Sequence, residues 1–396
     1  MDIKEKIKNL SEKYYSNVVK IRQHIHKHPE LSFNEHHTAN YVASILETLD
    51  LKFNTGIAGT GITGIIEGKN PGKKCVALRA DMDALPIEEK NDISYKSVNK
   101  GVMHACGHDA HTASLLGAIM ILNDLKDEFE GTVKFIFQPA EEKIPGGAKL
   151  MVEEGVLKNP TPSVILAQHA YPELVAGKIG IRAGTYMASS DEIYITVKGK
   201  GGHAAIPDKI DNTVLIASKL VVNLQQIPKS IAPKDTPTVL SIGKMIAQGA
   251  TNVIPDEVYM EGTFRTMNEE WRANAHSEIH KMAKELADQN KVEIEVKILT
   301  GYPVLSNHIE STEKAKNIAI DFVGADNVID LEPRMTSEDF AYYSQEIPAV
   351  FYRLGITKPG SDLFFPLHSP NFTIHDEAMK TGIALFAYQA TQFLID

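Results

Sequence analysis

Cysteine is scarce in this chain: its 396 residues include only Cys75 and Cys106. One pair could not staple a chain of this length, which rules out a disulfide framework and implies a reducing compartment. Long apolar runs are missing as well. No segment approaches the roughly 18 apolar residues that span a bilayer. The opening "MDIKEKIKNLSEKYY" is charged and periodic where a secretory signal would be apolar. The expectation is a cytoplasmic protein with no membrane partner. Basic clusters are the third absence. Acidic residues number 51 against 41 basic ones, for a net charge of -10, and the lysines are scattered. Nucleic acid and anionic lipid are therefore poor partners, whereas a homo-oligomer stays open. There is no repeat and no low-complexity segment, and 43% apolar with 23% charged residues is an ordinary globular composition.

What is present is an alternation of short apolar runs with helical segments. Residues 1–50 read as helical on either side of "HKHPELSFNE". From about 60 to 170 the runs "GITGIIEG", "KCVALRAD", "TVKFIFQPAEE" and "SVILAQHAY" alternate with helices at "TASLLGAIMILNDL" and "GGAKLMVEEG". That rhythm predicts an α/β layer with a largely parallel sheet flanked by helices. Near residue 188 the style changes. "DEIYITVKGKGGHAA" alternates like a half-buried strand. A helix over about 211–227, two strands joined near "GATNVIPDE", the helix "NEEWRANAHSEIHKMAKELADQ" and the strand "KVEIEVKIL" follow. The order β-α-β-β-α-β is that of a ferredoxin-like unit. The expected organisation is a first domain over 1–187 and 301–396, interrupted by an inserted lid or dimerisation-type domain over 188–300, as chain length also favours.

One motif is a decoy. "GTGITG", Gly59–Gly64, fits the G-x-G-x-x-G pattern of dinucleotide binding, but that pattern needs a helix after it. Here "IIEG" and the turn "KNPGKK" follow, so the segment reads as a turn between strands.

The chemistry-bearing residues gather at strand ends. Asp81 and Asp83 close "CVALRADMD", Glu141 and Glu142 close "VKFIFQPAEE", and His169 closes "SVILAQH". Open α/β sheets bind ligands at that edge. The stretch "MHACGHDAH" adds His104, Cys106, His108, Asp109 and His111 in a loop just before a helix. Any one of these has a bland reading as a satisfied core residue or a solvated acid, but four clusters on one edge point to a site. Imidazole, thiolate and carboxylate together suit zinc and its transition-metal neighbours. Cys106 as a nucleophile with a histidine base is the competing reading, and it leaves the surplus acids and histidines without a role. With adjacent glutamates, one can bind metal while the other takes a proton from the attacking water and passes it to a leaving amine.

In these segments the chain resembles the amidohydrolase branch of the di-metal aminoacylase and carboxypeptidase superfamily. That branch holds hippurate hydrolases, N-acyl-amino-acid deacylases and plant auxin-conjugate hydrolases. The matching stretches are "HKHPELSFNE", "ALRADMDALP", "HACGHDAHT", "FQPAEE", "GKGGHAA", "TNVIPDE", "SEDFAYY" and "LHSPNFTIHDE". The resemblance implies two divalent metal ions, zinc or manganese with cobalt or nickel as alternatives, held by Cys106, His108, Glu142, His169 and His368. It implies Glu141 as general base and Asp83 as an acid that orients a ligand. Asp81 stands where carboxypeptidase relatives carry a ligand histidine and is left outside the metal set, so whether Asp81 or Cys106 bridges the metals is open. His203 and Asn252, joined by Arg265, would be lid residues that receive the substrate. Three departures touch substrate fit: a glycine loop one residue longer in "PAEEKIPGGA", Asp208 for a common histidine, and Asn212 for a common proline. The implied function is cleavage of a small N-acyl-L-amino acid, of N-acetyl or N-benzoyl type, into a carboxylic acid and a free amino acid. A dipeptidase or carboxypeptidase and an N-acetyl-diaminopimelate deacetylase are the near alternatives, and a catalytically silent metal-binding homologue is the distant one.

Overall fold

The computed structural model describes residues 2–361 and 363–395. The chain divides into two compact units, one formed by Met1–Tyr186, Ser306–Glu332 and Asp339–Asp396, the other by Met187–Leu305 and Pro333–Glu338.

The first unit is built on a mixed sheet of eight strands. Their order is Phe53–Ile57, Gly61–Glu67, Thr132–Gln138, Cys75–Asp81, Ile165–Val175, Ala349–Thr357, Ile179–Ile181 and Val328–Asp330. The central four run parallel, and antiparallel pairing is confined to the flanks. Parallel strands bury both faces, which is why "CVALRAD" and "TVKFIFQ" are apolar without alternation and are buried throughout. Helix His108–Asp124 is buried along nearly its whole length and packs against helices Ile3–Lys27 and Ala378–Leu394. It therefore has no polar face. The glycine-rich "GTGITG" leads into strand Gly61–Glu67, and no helix follows it, as a turn between strands requires.

Register brings the chemistry to one end of this sheet. Asp81 pairs with Gln138, Arg79 with Ala167, and Arg353 with His169. Asp81 and His169 each lie two residues beyond the Arg79 and Ala167 pair on parallel strands, so they reach the same level. His169 does not end its strand, which runs on to Val175.

The second unit follows the order β-α-β-β-α-β. Its four antiparallel strands are arranged as Thr238–Ile246, Glu257–Thr266, Asp191–Lys198 and Glu293–Thr300, with helices Thr213–Leu224 and Glu269–Asn290. Ile193, Ile195 and Val197 alternate inward and share a core with Leu220, Phe264 and Trp271. Among the described residues, no helix is long and apolar enough to cross a membrane.

Candidate metal centre

Asp83, just beyond strand Cys75–Asp81, organises the turn that carries the glutamates after strand Thr132–Gln138. This carboxylate is buried and accepts the backbone N–H of Glu141 on Oδ1 and of Glu142 on Oδ2, each at 3.0 Å. The Ser32 hydroxyl donates to Oδ2 at 2.6 Å. Burial works against the ionised form, but the His108 imidazole and these donors outweigh it and hold Asp83 below the usual carboxylate range. Just before the glutamates, Ala140 adopts a left-handed conformation at φ 50°. Such backbone costs a non-glycine residue about 1–3 kcal/mol and persists only where its surroundings hold it. Here the Ala140 N–H donates to Glu35 Oε1 at 2.8 Å and its carbonyl accepts from Gly147 at 2.9 Å. The reversal presents Glu141 and Glu142 side by side.

Cys106 and His108 enter from the other side. Gly107 between them caps helix His108–Asp124 with φ 91°, and a Cβ there would lie 2.7 Å from the Ala170 Cβ. Only glycine allows the turn. His108 Nδ1 lies 2.8 Å from the Asp83 carbonyl oxygen and 3.2 Å from Asp83 Oδ1. Its Nε2 is fully buried and makes no hydrogen bond among the described residues. It faces Asp81 Oδ2 at 3.8 Å and Glu141 Oε2 at 3.9 Å.

His169 Nδ1 donates to the Ala170 carbonyl at 2.8 Å, which turns Nε2 toward Cys106 Sγ, 3.5 Å away. His368 is half exposed and sits at φ 63°, its backbone N–H bonded to the Ala105 carbonyl at 2.8 Å. Its Nε2 lies 3.1 Å from Glu142 Oε1, and hydrogen bonding to Cys106 and Glu142 pushes its pKa up to about 10. Burial, reinforced by Glu142, pushes the Cys106 thiol up. Burial and the Arg353 charge lower His169.

Donor atoms of Cys106, His108 and His169 approach within 4.8 Å of one another, as do those of Cys106, Glu142 and His368, and those of His108, Glu141 and Glu142. All six residues belong to the first unit, although they come from four separate chain segments. The donor set is one thiolate, three imidazoles and two carboxylates, and the buried His108 Nε2, which has no hydrogen-bond partner among the described residues, keeps a lone pair to offer. These residues fit a divalent transition-metal centre.

The other expected residues lie in the second unit. His203 pairs with Val253 across the short strands Gly202–His203 and Val253–Ile254, Asn252 stands just before the latter, and the Ala204 N–H donates to the Asn252 carbonyl at 3.0 Å. Both His203 and Asn252 are exposed. Arg265, half-buried on strand Glu257–Thr266, donates to the Met335 carbonyl and the Ser337 hydroxyl at 3.2 Å each.

Sequence reasoning missed Ser32 and Glu35, which position Asp83 and Ala140. Both sit in "HKHPELSFNE", a stretch that matched the superfamily without any role attached to it. It also left Arg79 without a role, a buried cation that holds Asp81 at 2.5 Å and Asp339 at 2.9 Å.

A sequence model of Peptidase family M20/M25/M40 matches residues 77–392. The chain is 39% identical over 307 residues to the N-acyl-L-amino acid amidohydrolase of Geobacillus stearothermophilus, covering 78% of this chain and 82% of that one. It is 35% identical over 396 residues to thermostable carboxypeptidase 2 of Saccharolobus solfataricus, with 99% of each chain covered. Among solved structures, the YXEP protein of Bacillus subtilis is described as a dinuclear metal-binding peptidase. It superposes with a TM-score of 0.82 at 33% identity, over 97% of this chain and 99% of that one.

Proposed function

The chain belongs to peptidase family M20/M25/M40 and is a hydrolase of amide bonds, and from that premise we propose that it cleaves N-acyl-L-amino acids into a carboxylic acid and a free amino acid. The observation that carries the reading is Glu141, a nearly buried carboxylate 3.9 Å from the unpartnered Nε2 of His108 and next in sequence to Glu142. Cys106, His108, Glu142, His169 and His368 would hold two divalent ions, zinc by donor chemistry or manganese as the resemblance implies. Bound there, the ions would acidify a water and draw charge from the amide carbonyl.

The protein's own groups then divide the work. Glu141 takes the proton of the attacking water on its carboxylate and delivers it to the departing amine nitrogen. Asp83 fixes the two glutamate amides and the His108 ring, so base and ligands keep their spacing. Cys106 serves as a ligand: its Sγ lies within 4.8 Å of donor atoms of His108 and His169 on one side and of Glu142 and His368 on the other. The roles that the resemblance gives His203, Asn252 and Arg265, binding the substrate carbonyl and carboxylate, belong to the same proposal.

A carboxypeptidase or dipeptidase activity is the second reading, favoured by the likeness to a thermostable carboxypeptidase. The test is to strip the enzyme with a chelator, restore it with manganese or zinc, and assay N-acetyl- and N-benzoyl-amino acids beside dipeptides. Turnover of the acyl substrates is expected. Hydrolysis of dipeptides alone would select the second reading, and full activity after complete demetallation would overturn the metal centre.

A further inference from the structure

Both ring nitrogens of His111 are engaged. Nε2 accepts the backbone N–H of Ala170 at 2.7 Å, so the proton of the neutral ring sits on Nδ1, 2.6 Å from Asp81 Oδ1. The other Asp81 oxygen receives Arg79 Nη1 at 2.5 Å, and the same guanidinium is anchored by Gln138 Oε1 at 2.8 Å and Asp339 Oδ1 at 2.9 Å. Asp81, His111 and Arg79 are all buried. Donor atoms of Asp81, His108 and His111 come within 4.8 Å of one another, so by proximity alone this trio could hold an ion. The bonding excludes it for His111, which has no lone pair left to offer.

Residue 170 is thus gripped from two sides. Its N–H is held by His111, and its carbonyl holds Nδ1–H of His169 at 2.8 Å. The rings of His111 and His169 lie 4.6 Å apart between centroids. A shift of the backbone at Ala170 would swing His169 Nε2 away from Cys106 Sγ.

We propose that His111, set by Asp81 and Arg79, is a positioning residue that holds the Ala170 peptide and through it aims His169 at the metal centre. This rests on the reading of His169 as a ligand. It also assigns the carboxylate at position 81, where the resemblance gives carboxypeptidase relatives a ligand histidine, to orienting His111.

Two substitutions separate the two ends of the ring. His111→Asn can still donate to Asp81 but cannot reach the Ala170 N–H, whereas His111→Gln places an acceptor where Nε2 was. Metal-free protein is titrated with cobalt while the near-ultraviolet thiolate-to-cobalt absorption of Cys106 is followed. His111→Asn should weaken one metal equivalent by about 10- to 100-fold, as loss of a ligand-orienting contact does, with His111→Gln titrating like the wild type. Equal titration of His111→Asn and wild type would overturn the proposal. A wild type without Cys106-dependent absorption would overturn the ligand assignment beneath it. Should His111→Asn fail to fold, nitrogen-15 spectra of histidine-labelled wild type decide the matter, with His111 assigned from its loss in His111→Gln. An Nδ1–H tautomer whose Nε2 does not respond to metal is expected, and an Nε2 that moves on metal addition would make His111 a ligand and refute the proposal.

Discussion

Asp83 Oδ2 accepts the backbone N–H of Glu142 at 3.0 Å, while Oδ1 of the same carboxylate accepts that of Glu141. One buried group therefore sets the backbone of both the proposed base and a proposed ligand. Asp83→Asn keeps the shape but offers a single acceptor oxygen and turns an amide N–H toward a donor. The unmatched N–H groups should cost about 1–3 kcal/mol locally. We expect metal affinity to fall about 10- to 100-fold, with turnover falling alongside. Calorimetric titration of metal into demetallated wild type and variant checks this, and matching affinities would show that Asp83 does not orient the site.

Glu141 and Glu142 differ in what surrounds them. Glu141 faces His108 Nε2 at 3.9 Å, whereas Glu142 is paired with His368 at 3.1 Å. Glu141→Gln should retain both metals while turnover drops by about 100- to 10,000-fold, the range for a lost general base. Glu142→Gln should lose affinity at one metal position along with rate. Metal stoichiometry and turnover measured side by side decide the assignment: a metal lost in Glu141→Gln and kept in Glu142→Gln would reverse the roles.

The alternation of apolar runs and helices was enough to read the parallel sheet, because strands such as Cys75–Asp81 are buried on both faces and carry unbroken apolar sequence. It also exposed "GTGITG" as a turn, since no helix signal followed. The metal-ligand types could be read from residue chemistry, and their order along the chain from the superfamily resemblance. What the sequence could not reveal is which polar atoms are used up. His108 and His111 are identical in type and three residues apart, yet one has a buried unpartnered nitrogen and the other has none. That difference arises from Asp81 and from the Ala170 amide, which strand register brings to them from distant segments. The support from Ser32, Glu35 and Arg79 is invisible for the same reason: it is tertiary and leaves no local period.

In the second unit, Asp191 and Arg272 form a two-point fork, with Nε to Oδ2 at 3.0 Å and Nη2 to Oδ1 at 2.5 Å. His276 Nε2 lies 2.7 Å from Oδ2, and the Gly301 N–H donates to Oδ1 at 3.1 Å. Burial alone would raise the Asp191 pKa, but the His276 and Arg272 contacts prevail and hold it below the usual value. A carboxylate whose folded pKa is depressed stabilises the fold above its unfolded pKa, about 3.9, and that contribution fades as the pH falls through the folded pKa. Asp191→Asn leaves the nearly buried Arg272 with only the more exposed Glu269, 3.1 Å away, as counter-charge, so the cost approaches the about 3–5 kcal/mol of breaking a buried pair. The single tryptophan, Trp271, is nearly buried beside Arg272 on helix Glu269–Asn290, so its fluorescence follows unfolding of this unit alone. Urea titrations read by that fluorescence should show the variant at a full deficit near neutral pH, with the gap to wild type closing below about pH 4 as Asp191 of the wild type is protonated. A gap that persists unchanged in acid would mean that the ion pair is not its source, and no gap at neutral pH would mean that the fork does not stabilise the unit.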